Sequence, residues 1–123
     1  MPSLGTANRD HLLFARVLAW SLAAAIVVLS IVPPSLRPET VLPHGLEHFG
    51  IFFAAGTAFG LTHYRRYRLL LPLLIIFAAG VEVLQLIVPG RHARLSDFVV
   101  DALAACVGAL TPLLARRMSS KIE

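Results

Sequence analysis

The chain is poor in several things, and each shortage narrows what it can be. It has one cysteine, Cys106, so no internal disulfide can form in any compartment. Cys106 lies in an apolar run and reads as a small packing residue rather than a reactive thiol. Charge is scarce. Only 15% of the 123 residues are charged, while 57% are hydrophobic, which bounds the chain to one domain at most. With a mean hydropathy of +0.75, this fits a membrane protein better than a soluble one. No HExxH or comparable ligand spacing is present, so no metal site and no cofactor is expected. The net charge of +4 does not indicate nucleic acid, because the arginines cluster between apolar stretches, as topology signals do.

The last three of four apolar stretches also lack a full uncharged span. Their uncharged cores are residues 49–62, 69–81 and 102–115, which are 14, 13 and 14 residues long. A helix needs ~20 residues to cross hydrocarbon. Each must therefore carry its polar end into the bilayer or its interface.

What is present predicts an all-α polytopic membrane protein, a four-span antiparallel helical bundle. The predicted spans cover 12–32, 44–63, 69–88 and 95–115. Residues 1–11 and 116–123 are expected as short cytoplasmic segments around a domain at 12–115. The first stretch is too long for a signal peptide, and Pro33-Pro34-Ser35 is not a small-residue cleavage site. Four prolines between residues 33 and 43 predict an irregular, partly extended loop. Pro72 is expected in the first turn of the third helix, and Pro89-Gly90 at its end. Ser96 or Asp97 is expected to cap the fourth. Eight Lys and Arg fall on the side of the two termini and the 64–68 segment. Three fall on the other: Arg37, Arg91 and Arg94. The positive-inside rule then places both termini in the cytoplasm.

Ionisable residues gather at one end of this arrangement. His44, Glu47 and His48 open the second stretch, Glu82 and Gln85 close the third, and Asp97 and Asp101 open the fourth. In an antiparallel bundle these ends face the same side. His44 and His48 are four residues apart, as are Asp97 and Asp101, and Glu82 and Gln85 are three apart, so each pair forms a stripe on one helix face. Small residues continue the stripes at Ala78, Ala79, Ala104, Ala105 and Gly108. Such residues let membrane helices approach closely, so the acidic faces are expected inside the bundle. Gly56 and Gly60 form a GxxxG, expected to pack within the bundle rather than serve as a dimer face. Charge in hydrocarbon is costly and marks a working site.

The run Glu82-Val-Leu-Gln85, with Pro89-Gly90-Arg91 and Ser96-Asp97 after it, resembles the VanZ-like family of bacterial integral membrane proteins. Leu46-Glu47-His48-Phe49 is similar to that family's earlier histidine motif. The resemblance covers about residues 44 to 108. An aspartate–lysine pair usual in the family is His44 and Gly45 here. A usual asparagine is Asp101, and a usual glycine is Ala104. The resemblance implies a bacterial inner-membrane location, a cell-envelope role and a link to glycopeptide (teicoplanin) susceptibility. It does not imply a reaction.

Several chemistries stay open on these residues. Arg91 and Arg94, beside the start of the fourth helix and with Ser96 and Gln85, form a candidate site for an anionic or glycan-linked lipid headgroup. Helix-end N–H groups and the arginine fork both suit phosphate. Alternatively Arg91 and Arg94 neutralise Asp97 and Glu82 in a structural network. His48, Glu82, Asp97 and Asp101 are candidate catalytic acids and bases for phosphoryl or acyl transfer, although no nucleophile is obvious. Transport is disfavoured, since the inner half lacks polar residues. Expected partners are a phosphate-bearing membrane lipid and a second copy of the chain. A non-catalytic structural or accessory role is the alternative.

Overall fold

A computed structural model describes residues 4–122. The outermost residues of the expected terminal segments, 1–3 and 123, lie outside the described residues. Every regular element is helical: α1 (Leu4–Ile31), α2 (His44–His63), α3 (Tyr67–Leu86) and α4 (Leu95–Ser119). Short 3-10 turns at Pro34–Leu36 and Tyr64–Arg66 lie in the first two of the three connections. Three helical stretches are long and apolar enough to cross a membrane: Asn8–Ile31, His44–Leu86 and Leu95–Ser119. The middle one is 43 residues long. As a single rod it would measure ~65 Å, twice the hydrocarbon thickness. It folds back at Tyr64–Arg66, because its beginning (His44, His48) and its end (Gln85) line the same cleft.

The centre of the bundle is the α2–α4 pair, which shares the most extensive interface. The sequence explains why these two lie so close. A Cβ on Gly56 would collide with the Ala105 carbonyl, and one on Gly60 with the Ala109 carbonyl. A Cβ on Gly108 would collide with the Phe53 carbonyl. Backbone therefore meets backbone along this seam, and the GxxxG is spent inside the bundle. Helix α1 lies on α2, and α3 lies on α4. Ala78, Ala104 and Ala105 are buried where those faces meet, with Phe52, Leu74 and Val81. Large apolar side chains point outward instead, including Phe14, Trp20, Ile76 and Leu103. A core of small residues under a coat of large ones suits a lipid solvent.

Helix ends depart from expectation in informative ways. Helix α1 begins at Leu4 rather than residue 12, and α4 runs on to Ser119. Both expected terminal segments are thus largely helical where they are described. Helix α3 starts at Tyr67, so Pro72 sits inside the helix rather than in its first turn. Ser96 and Asp97 do not cap α4. The cap position is Arg94, with no side-chain bond, and its carbonyl accepts from the Asp97 and Phe98 N–H groups at 3.1 and 3.2 Å. Asp97 falls in the first turn, where its charge complements the helix dipole. Helix α2 matches its expected bounds. Pro43 sits at its cap, and the Pro43 carbonyl accepts from Leu46 and Glu47. After α3, Gly90 takes a φ of +81°, which only glycine adopts without strain. That turn aims Arg91 back across the molecule.

Candidate functional site

At the end of the bundle where α2 and α4 begin and α3 finishes, an open cleft of about 780 Å³ separates the helix ends from the proline-rich loop. The floor of this region is apolar: the Phe52 ring packs against Phe77 with centroids 6.1 Å apart. One turn above Phe52 on α2 lies His48, whose ring stacks over that of Phe52.

His48 and Asp101 form the pair at the centre of the site. The His48 Nδ1–H donates to both Asp101 carboxylate oxygens, each at 3.2 Å. Asp101 is wholly buried (0% exposed) and His48 nearly so. Asp101 is reached only because Gly56 and Ala105 bring α2 and α4 into backbone contact below it. A carboxylate on Nδ1 fixes the tautomer and turns the other nitrogen outward. That Nε2 has no hydrogen-bond partner among the described residues, and His48 lines the cleft while Asp101 does not. His44, one turn earlier, places its ring 4.3 Å from that of His48.

Glu82 and Gln85 share the face of α3 that meets α4, as their spacing predicts, and both are buried. Both Glu82 oxygens and the Gln85 Nε2 lack hydrogen-bond partners among the described residues. The Arg94 backbone N–H faces the Glu82 carboxylate without closing a well-formed bond. Glu82 lies within electrostatic reach of Asp101, Asp97 and His48, but behind the cleft wall rather than in it. Gln85 does line the cleft. Buried polar atoms are nearly always satisfied, so this cluster of orphans marks a site built for something other than stability.

Arg91 does something the sequence did not announce. Its Nη2 donates to the Leu29 carbonyl at 2.6 Å and the Val32 carbonyl at 3.1 Å. These carbonyls end α1, which has no basic residue in its own last turn. Arg91 thus caps α1 from across the molecule, at the negative end of its dipole. Burial, above all, and then the nearby Arg37 hold its pKa below the ordinary arginine value. It makes no ion pair with Glu82 or Asp97. The only ion pair among the described residues is His48–Asp101.

Arg37 is the cleft residue that sequence reasoning missed, since it served there only to count charge. It lies within electrostatic reach of His44, His48 and Arg91. Its signal was position: it stands seven residues before His44, in a proline-stiffened loop that must fold back over the helix ends. Arg94 and Asp97 also line the cleft, whereas Ser96 is exposed and outside it. No group of three or more His, Cys, Asp or Glu side chains placed to hold a metal ion occurs among the described residues. No protein-family model, curated protein or solved structure matches the chain.

Proposed function

We propose that the chain is a VanZ-like bacterial membrane protein of four spans, with both termini cytoplasmic, whose cleft recognises the phosphate of an anionic lipid headgroup in the outer leaflet. One observation carries the reading. Arg37 and Arg94 line one cleft with His44 and His48, and although Glu39, Glu47 and Asp97 line it too, neither arginine is ion-paired among the described residues. Two guanidinium groups without a carboxylate partner suit a phosphate, which a planar arginine fork binds in two-point fashion. The buried Gln85 amide adds a neutral donor. The split of eight Lys and Arg against three supports the orientation, and the turn at Tyr64–Arg66 supports two crossings within His44–Leu86.

In an envelope setting, such a protein binds a phosphorylated precursor lipid, which connects it to glycopeptide (teicoplanin) susceptibility. The test is native mass spectrometry of protein mixed with dioleoyl phosphatidate or farnesyl monophosphate. The chain should retain either lipid, and an Arg37→Gln/Arg94→Gln double variant should lose it with an unchanged melting temperature. Equal retention by the double variant would overturn the reading. The Arg91 clamp on α1 favours a second reading, an accessory membrane protein whose charges serve only its own packing.

A further inference from the structure

The cleft also contains the parts of a reaction. His48 offers it an unpartnered ring nitrogen, with the opposite nitrogen tied to a fully buried carboxylate. Gln85, 4% exposed, lines the same cleft, and its buried amide nitrogen has no hydrogen-bond partner among the described residues. Other nucleophiles are disposed of. The Ser30 hydroxyl donates to the Ile26 carbonyl, and Cys106 lies beside the Leu71 carbonyl, away from the cleft. Thr40 is on the loop, with no base hydrogen-bonded to it among the described residues.

We propose that the protein is a lipid phosphatase in which His48, positioned by Asp101, accepts the phosphoryl group of a lipid phosphate monoester and passes it to water. The inference rests on the phosphate-binding reading above. The His48 Nε2 lone pair forms an N–P bond as the P–O bond to the lipid breaks. The bond's electron pair leaves with the lipid oxygen, which takes a proton from the His44 imidazolium to become the alcohol. Water then attacks phosphorus and gives a proton to the now neutral His44. The P–N bond breaks, its electron pair returns to His48, and inorganic phosphate departs. Net, one monoester and one water give one alcohol and one phosphate.

Each neighbour has a matching part. Asp101 holds the Nδ1 proton and balances the positive charge that the phosphorylated ring acquires, as a carboxylate behind a histidine does in other acyl and phosphoryl transfers. Arg37 and Arg94 neutralise the equatorial phosphoryl oxygens, where most of the stabilisation in such transfers arises. Gln85 supplies one hydrogen bond to them. Asp101 is a positioning residue, since it is sealed from the cleft.

The test uses the full chain in detergent, with farnesyl monophosphate, dioleoyl phosphatidate and glycerol 3-phosphate as separate probes. Phosphate should be released from the lipid esters and not from glycerol 3-phosphate. Release from glycerol 3-phosphate alone would overturn the lipid assignment. His48→Gln should lower release by at least ~100-fold while still retaining farnesyl monophosphate in native mass spectrometry. Acid-sensitive phosphohistidine at His48 should be trapped when the wild-type reaction with farnesyl monophosphate is quenched in base during turnover. Asp101→Asn should lower kcat far more than it raises KM, with Asp101→Glu recovering part of the rate. Lipid retained by the wild type without any phosphate release would overturn the phosphatase and leave the binding reading standing. Release without phosphohistidine would overturn the role of His48.

Discussion

The two ends of this bundle both concentrate arginine, and they use it in opposite ways. At the Tyr64–Arg66 end the arginine side chains lie outward and exposed. The Arg116 guanidinium sits 4.1 Å above the centre of the Tyr64 ring, while Arg65 and Arg68 lean over their own neighbouring tyrosines. Every charge there keeps its water, and the ring–cation contacts are of the kind that decorate a membrane interface. At the other end Arg91 turns inward to helix-end carbonyls, Asp101 is sealed beneath His48, and Glu82 is buried with no partner. One end obeys the rule that charge stays hydrated, and the other breaks it at several neighbouring positions. Arginine content alone therefore says little about a site. What distinguishes the cleft is the burial of polar groups that the fold leaves unsatisfied.

The sharpest way to break this contrast is at its most buried point. Asp101→Ala leaves the His48 ring facing an empty, dry pocket. Removing one partner of a buried pair costs ~3–5 kcal/mol, whereas removing both is often neutral or better. Asp101→Ala should therefore unfold well below the parent in detergent melts, and His48→Leu/Asp101→Leu should return near it. A double variant as unstable as the single would mean that the pair does not carry the local stability.

Next in size is Arg91→Met, which keeps the volume and removes the charge. The Leu29 and Val32 carbonyls lose a charge-assisted bond, worth ~1.5–3 kcal/mol. The loss should appear as faster amide exchange at the end of α1, with α3 and α4 unchanged. Uniform exchange throughout would remove the capping role.

Glu82→Met should move stability the other way. Two buried oxygens without partners cost ~1–3 kcal/mol, and a thioether of similar length does not. The variant should melt higher and bind phosphate lipids no better than before. A lower melting temperature would show that Glu82 is satisfied in the membrane by a group outside the chain.

Much of this organisation was legible in the residues, and the illegible part has a physical cause. Helix α2 could be bounded because Pro43 stops the chain on one side and the basic, aromatic 64–68 segment on the other. The stripes His44–His48, Glu82–Gln85 and Asp97–Asp101 were visible because helical periodicity is local. That His48 meets Asp101 was expected only as a shared pocket, and the pairing itself depends on how far Gly56 and Gly108 let two helices sink together. The Arg91 clamp lay beyond reach, since its acceptors are backbone carbonyls 59 and 62 residues away, and a carbonyl has no signature in sequence. Arg37 was hidden for a similar reason, because nothing local says which way a proline-rich loop will fold. The Ser96 cap failed because the extended backbone at Arg94 lets the helix begin one residue before a hydroxyl could help.

The smallest effect belongs to the opposite end, and it tests the contrast by its absence. Tyr64→Leu and Arg116→Gln remove a half-buried ring and an exposed cation from a contact that water and headgroups can replace. A surface contact of this kind adds little because each partner is already well solvated without it. Neither variant should shift the melting temperature measurably, change retention of farnesyl monophosphate, or alter exchange near the cleft. The double variant should equal the sum of two negligible changes, since no buried group depends on either side chain. A clear loss of lipid retention would mean that the Tyr64–Arg66 end holds a phosphate of its own. The two ends would then differ in burial but not in function, and unsatisfied buried polar groups would no longer be what tells them apart.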